Sequence, residues 1–227
     1  MSRLRRWPGP SDDGHYGVVL AMLVAGYLGT ALAASTLVSV LTVLLYAGAL
    51  VLAIQAARLA GSRVWALRAA LTIGSLVTVV ALVVGGGNIV RGVASMWLAL
   101  VLGATVVLVV RHILRHPVVT LQTIAGALSA YLLIGLMFAE IFTAMSRLDP
   151  QPFFAGGQLA DPATVQYFSF TTLTTLGYGD FTAGHDAGRA VAVLEALLGQ
   201  IFLVTLVARL VSNFSGRTPT PDEEREP

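Results

Sequence analysis

The chain has 227 residues, of which 56% are hydrophobic and only 11% charged, with a formal net charge of +2 and a mean hydropathy of +0.80. A soluble domain of this length carries far more charge, so the composition points to an integral membrane protein and excludes a cytosolic globular enzyme. Cysteine is absent, which excludes a disulfide framework and a thiolate metal centre, and all fourteen basic residues are arginine, a usage that points to a GC-rich bacterial genome.

A hydrocarbon core about 30 Å thick takes about 20 helical residues to cross. Six apolar stretches near that length predict membrane helices at 17–35, 37–57, 64–84, 93–110, 118–145 and 187–212. The first two are almost continuous, and the small polar cluster at Ser35-Thr36 marks the turn between them. With the N-terminus inside, Arg3, Arg5, Arg6, Arg58, Arg63, Arg68, Arg111, Arg115, Arg209, Arg217 and Arg225 lie at cytoplasmic ends, and Arg91, Arg147 and Arg189 outside. The positive-inside rule therefore predicts both termini cytoplasmic in the plasma (inner) membrane. Arg3, Arg5 and Arg6 ahead of an apolar run ending in Ala31-Leu32-Ala33 also resemble a signal peptide. That run is longer than the usual apolar core of about 7 to 15 residues and leads straight into a second span, so the first helix is expected to be retained.

The fourth stretch, Val93 to Val110, contains no charge, and no Asp or Glu occurs from Gly14 to Ala139. A voltage sensor needs Arg repeated every third residue with acidic partners on neighbouring helices. Weak or absent voltage dependence is the expectation. Where the fourth stretch meets the fifth, Arg111, His112, Arg115 and His116 form a basic patch that fixes topology and suits anionic lipid head groups at Arg111 and Arg115.

Between the fifth and sixth stretches lies a segment too interrupted to span, from about Ser146 to Asp186. Asp149, Pro150, Pro152, Gly156 and Gly157 predict an irregular turret, and Asp161-Pro162 an N-cap and first turn. A short helix over 163–174 follows, its C-terminal partial negative charge turned inward. The chain then runs Thr174-Thr175-Leu176-Gly177-Tyr178-Gly179-Asp180. Gly177 and Gly179 allow alternate residues to leave the usual φ/ψ regions, so that successive carbonyls face one way and replace an ion's hydration shell. Irregular backbone at membrane depth is tolerated only where it is buried in protein or lines water.

With Thr-Leu-Thr-Thr-Leu-Gly-Tyr-Gly-Asp at 172–180 between two apolar helices, residues 118–212 resemble the pore module of tetrameric potassium channels, and the whole chain resembles bacterial six-helix channels with one pore loop per subunit. The resemblance implies an all-α membrane fold with six transmembrane helices, a re-entrant pore helix and a selectivity filter, and a homotetramer, because each chain supplies one filter strand and the pore needs four. It implies potassium ions bound at Thr175, Leu176, Gly177 and Tyr178, with Gly179 completing the filter and no other cofactor. Thr171, Thr174, Asp180, Tyr167 and Glu140 are expected to support the filter and outer mouth. In the last helix Gly199 matches a hinge position, with Gln200, Leu203 and Val207 facing the cavity. Three departures stand out. Many relatives brace the filter with paired Trp where this chain has Tyr167 and Phe168; Leu176 stands where Val is commonest; and Thr171 replaces a Glu found in some relatives, which implies altered filter inactivation.

Glu195 is a carboxylate inside the last membrane helix, a costly placement that is normally paired or functional, and the sequence names no partner for it. Four regions are expected: a cytoplasmic segment 1–16, a four-helix membrane domain 17–116 resembling a voltage-sensor domain without gating charges, a pore domain 117–212, and a short disordered cytoplasmic tail 213–227, too small for a folded regulatory module. No catalytic constellation and no nucleic-acid-binding pattern is present in the sequence. A subunit of a potassium uptake transporter and a non-conducting scaffold are the alternatives to a channel; transporters with related filters generally carry four pore loops in one long chain, and this chain has one.

Overall fold

The computed structural model describes residues 16–32, 36–56, 73–76, 78–80, 87–115 and 121–215. Helices delimited there are α1 (Tyr16–Leu32), α2 (Thr36–Ala56), α3 (Asn88–Arg115), α4 (Leu121–Leu148), α5 (Pro162–Leu173) and α6 (Asp186–Ser215). Of these, α3, α4 and α6 contain apolar stretches long enough to cross a membrane: Asn88–Arg111, Leu121–Leu148 and Asp186–Arg209. At 17 residues, α1 is about 25 Å long by its 1.5 Å rise, shorter than the usual span. Most of the third expected span, 64–84, lies outside the described residues, as do 1–15 with Arg3, Arg5 and Arg6, 57–72 with Arg58, Arg63 and Arg68, His116, and the tail from 216. Helices α1 and α2 are delimited to Leu32 and from Thr36 and pack on each other, while 33–35, where part of the expected turn at Ser35-Thr36 falls, lie outside the described residues.

Several hydroxyls inside the apolar helices are satisfied on their own backbone. Thr30, Thr105, Ser129 and Thr143 each donate to the carbonyl four residues earlier, at 2.8 to 3.1 Å. Close approach comes from glycine: a Cβ on Gly26 of α1 would lie 2.8 Å from the Tyr46 ring of α2, and one on Gly48 of α2 would lie 2.6 Å from Met22 of α1.

Two cores meet at α4. One face of that helix joins α1, α2 and α3 through Leu23, Tyr46, Leu102, Val109, Ala130 and Leu133. Its C-terminal half joins α5 and the segment after α4 through Phe138, Phe142, Phe153, Phe154, Phe168 and Leu173. The Phe142 ring sits edge-on to Phe168 at 5.0 Å and tilted against Phe153 at 5.5 Å, so aromatic packing holds the irregular turret down on the helices. By contrast only 11% of the apolar window of α6 is buried, against 56% for α4, which leaves α6 along the open side of the chain.

Candidate functional site: the strand between α5 and α6

The site begins with the cap of α5. Asp161 sits in extended backbone and its Oδ1 accepts from the Thr164 amide at 3.0 Å, while Oδ2 accepts from the Thr164 hydroxyl at 2.7 Å, with Pro162 in the first turn. Partial burial pushes this carboxyl up, but the bonds from Thr164 outweigh it and hold Asp161 below its ordinary value.

At the other end α5 does not simply stop. The amides of Thr174 and Thr175 turn back to the carbonyls of Phe170 and Thr172, and those of Leu176 and Gly177 both reach the Thr171 carbonyl, at 2.8 and 3.1 Å. The Thr174 hydroxyl donates to Phe170 O at 2.7 Å, and that of Thr171 to Phe168 O at 3.0 Å. The strand that leaves this knot alternates in handedness: Thr175, Gly177 and Gly179 have φ of 57°, 49° and 82°, whereas Leu176 and Tyr178 between them are not positive. Thr175 is the one non-glycine among the described residues with positive φ. A β-branched residue there stores about 1 to 3 kcal/mol of strain, which the surrounding bonds must hold. Among the described residues no donor reaches the carbonyl oxygens of Thr175 through Gly179; the nearby bonds go instead to Thr174 O and Asp180 O.

Behind the strand, the Tyr167 hydroxyl donates to Asp180 Oδ2 at 2.9 Å, and its ring lies parallel to that of Tyr178 with centroids 6.4 Å apart. Asp180 Oδ1 accepts from the Phe181 amide at 3.1 Å. Tyr167 thus takes a bracing position, while Phe168 turns into the aromatic core beside Phe142. The turret clamps the exit: Ala155 N donates to Thr182 O, Gly184 N to Phe153 O, and Gln158 Nε2 to Asp180 O at 3.2 Å. His185 Nε2 lies 3.0 Å from Pro152 O, which makes it part of this clamp.

From the other side, α6 meets α5 at successive turns. The buried Ser169 hydroxyl of α5 contacts Glu195; Gly199 packs on the Leu173 carbonyl so closely that a Cβ would come within 2.5 Å; and Gln200 Nε2 donates to Thr175 Oγ1 at 3.0 Å. Helix α6 is unbroken through Gly199, so the glycine is a point of close approach here and not a bend. Leu203 is half-buried and Val207 exposed, and both lie on the face that carries Gln200. On α4 the Glu140 carboxylate takes a hydrogen bond from Ser95 on α3, and no hydrogen bond among the described residues joins it to the strand. Arg111 is exposed at the end of α3, and the side chain of Arg115 lies outside the described residues.

Sequence reasoning missed Gln166, Ser169, Gly135 and Tyr131. Ser169 Oγ lies 2.7 Å from Gly135 O, Tyr131 donates to Leu173 O at 3.4 Å, and Gln166 Nε2 donates to Tyr27 O of α1 at 3.0 Å. Gln166 and Ser169 carried a signal, since a buried polar side chain in an otherwise apolar helix must find a partner.

Residues 128–215, from within α4 through the end of α6, match a family model described as ion channel. The match contains α5, the alternating strand and α6, and supports an ion-channel function in a membrane protein. No curated protein and no solved structure matches the chain.

Proposed function

We propose that four copies of this chain enclose one pore that conducts potassium selectively and passively across the plasma (inner) membrane. The observation that carries this reading is the strand Thr175–Gly179, whose φ alternates in sign while its carbonyls have no donor among the described residues. In an ordinary strand successive carbonyls point to opposite sides; alternating handedness turns them to one side, as a ring of ion ligands requires. On this reading Thr175, Leu176, Gly177 and Tyr178 coordinate potassium, which is cargo and not a cofactor. Helix α5 is the pore helix, with its negative end toward the cavity, and four Asp180 carboxylates ring the outer mouth. Six spans with both termini cytoplasmic complete the topology, and Arg111 and Arg115 meet anionic lipid.

The test is potassium and sodium flux through the purified protein in liposomes, with its assembly state measured on the same sample. A tetramer with potassium-selective flux is expected. A stable single-chain species, or equal flux for the two ions, would overturn the proposal.

A further inference from the structure

Glu195 is fully buried in α6, and one of its oxygens, Oε2, has no hydrogen-bond partner among the described residues. Its other oxygen lies 2.5 Å from Ser169 Oγ on α5, and that same Oγ lies 2.7 Å from the main-chain carbonyl of Gly135 on α4. The three groups form a row across three helices. Gly135 O only accepts, and Ser169 owns a single hydroxyl hydrogen. If Glu195 were ionised, that one hydrogen would face two acceptors, and one short contact would be oxygen against oxygen with no proton between them. A carboxylate with one unpartnered oxygen and no exposure to solvent is also expensive to bury. The row closes when the carboxyl carries its proton: Glu195 O–H donates to Ser169 Oγ, Ser169 O–H donates to Gly135 O, and Oε2 is left as a carbonyl.

Among the described residues, the groups packed around Glu195 supply no counter-charge. On α4 the nearby titratable group is the Tyr131 phenol, which donates to Leu173 O. On α5 the Tyr167 phenol is engaged with Asp180. On α6 itself, the exposed pair Arg189–Asp186 is at the helix start.

We propose that Glu195 is a positioning residue that works as a neutral carboxylic acid, fixing through Ser169 the height of α6 against α5. The inference rests on the reading of 175–179 as the ion pathway. One turn further along α6, Gly199 sits on Leu173 O, and the next residue, Gln200, holds the Thr175 hydroxyl. A slip at Glu195 therefore displaces the amide that steadies the first, strained residue of the strand.

The test uses the full-length protein in lipid, with three readouts. An infrared difference spectrum at neutral pH, wild type minus Glu195→Gln, is expected to contain a protonated-carboxyl C=O band, shifted in Ser169→Ala; its absence overturns the proposal whatever the flux. Glu195→Gln, which keeps a donor without charge, is expected to retain the wild-type melting temperature and ion selectivity, and its failure on both would show that an ionised carboxylate is required. Ser169→Ala, a smaller change than truncating Glu195, is expected to lower potassium-over-sodium selectivity about tenfold, the scale of one buried hydrogen bond. Unaltered selectivity in a folded Ser169→Ala protein overturns the positioning role. Should the wild type conduct no ion, the channel reading fails, while the band and the melting temperatures still decide the state of Glu195.

Discussion

At the scale of single residues, the strand depends on main-chain conformation more than on side-chain chemistry. A Cβ at Gly177 would meet nothing within 4 Å among the described residues, so within one chain the strain of Gly177→Ala lies in φ, at +49°. The left-handed region costs an L-residue about 1 to 2 kcal/mol. We expect this variant to assemble with near-normal melting and to lose potassium flux, measured in liposomes on size-checked protein. Tyr167→Phe keeps the ring over Tyr178 and removes the donor to Asp180. A loss of about 1 kcal/mol in thermal unfolding is expected, with flux that runs down faster under sustained driving force. Asp161 gives a pH signature whose sign follows from its lowered folded value. Its contribution is complete above the ordinary carboxylate value and disappears as pH falls through the folded one. The melting difference between wild type and Asp161→Ala should accordingly be constant at neutral pH and shrink in strong acid; a difference that grows on acidification would contradict the cap geometry.

The helices are legible in the sequence to different degrees, and the reasons are physical. Helix α5 announces itself through Asp161-Pro162, a local cap that any reader of the chain can place, and the structure starts it at Pro162. The Ser95 partner of Glu140 is not legible in the sequence, because the two residues lie on different helices and their contact is set by packing. The same difficulty surrounds Gly199, where spacing alone allows a hinge or a contact. Its approach to a backbone atom decides the matter for this conformation, since the Leu173 carbonyl cannot swing aside like a side chain. We expect Gly199→Ala to push α6 off α5, lowering the melting temperature and disturbing flux together. A variant with intact stability and a selective change in opening would favour bending instead.

For the molecule as a whole, α1 to α3 form one face of a core whose other wall is α4, so the bundle and the ion-channel-like region share a helix instead of meeting at a linker. Motion in one must therefore be felt in the other, yet the electric field has little to pull on. Between Gly92 and Val110, α3 carries no charge, and each elementary charge crossing the membrane contributes about 2.3 kcal/mol per 100 mV. A shallow conductance–voltage relation is expected in planar bilayers, and a steep one with several gating charges would refute it. The missing arginines on which this expectation rests are legible in the sequence. The sequence could not disclose that α1 reaches α5, because that contact joins residues 139 positions apart.

That contact also determines which experiments can see it. Gln166 grips α1 by the main-chain oxygen of Tyr27, an atom present at every position whatever the side chain, and a carbonyl has a second lone pair to spare for its own helix. Substitution scanning along α1 will register the Tyr27 ring, which lies edge-on to Phe170, and will pass over the hydrogen bond itself. Only changes at position 166 expose it, so an α1 that looks tolerant to mutation can still be firmly tethered.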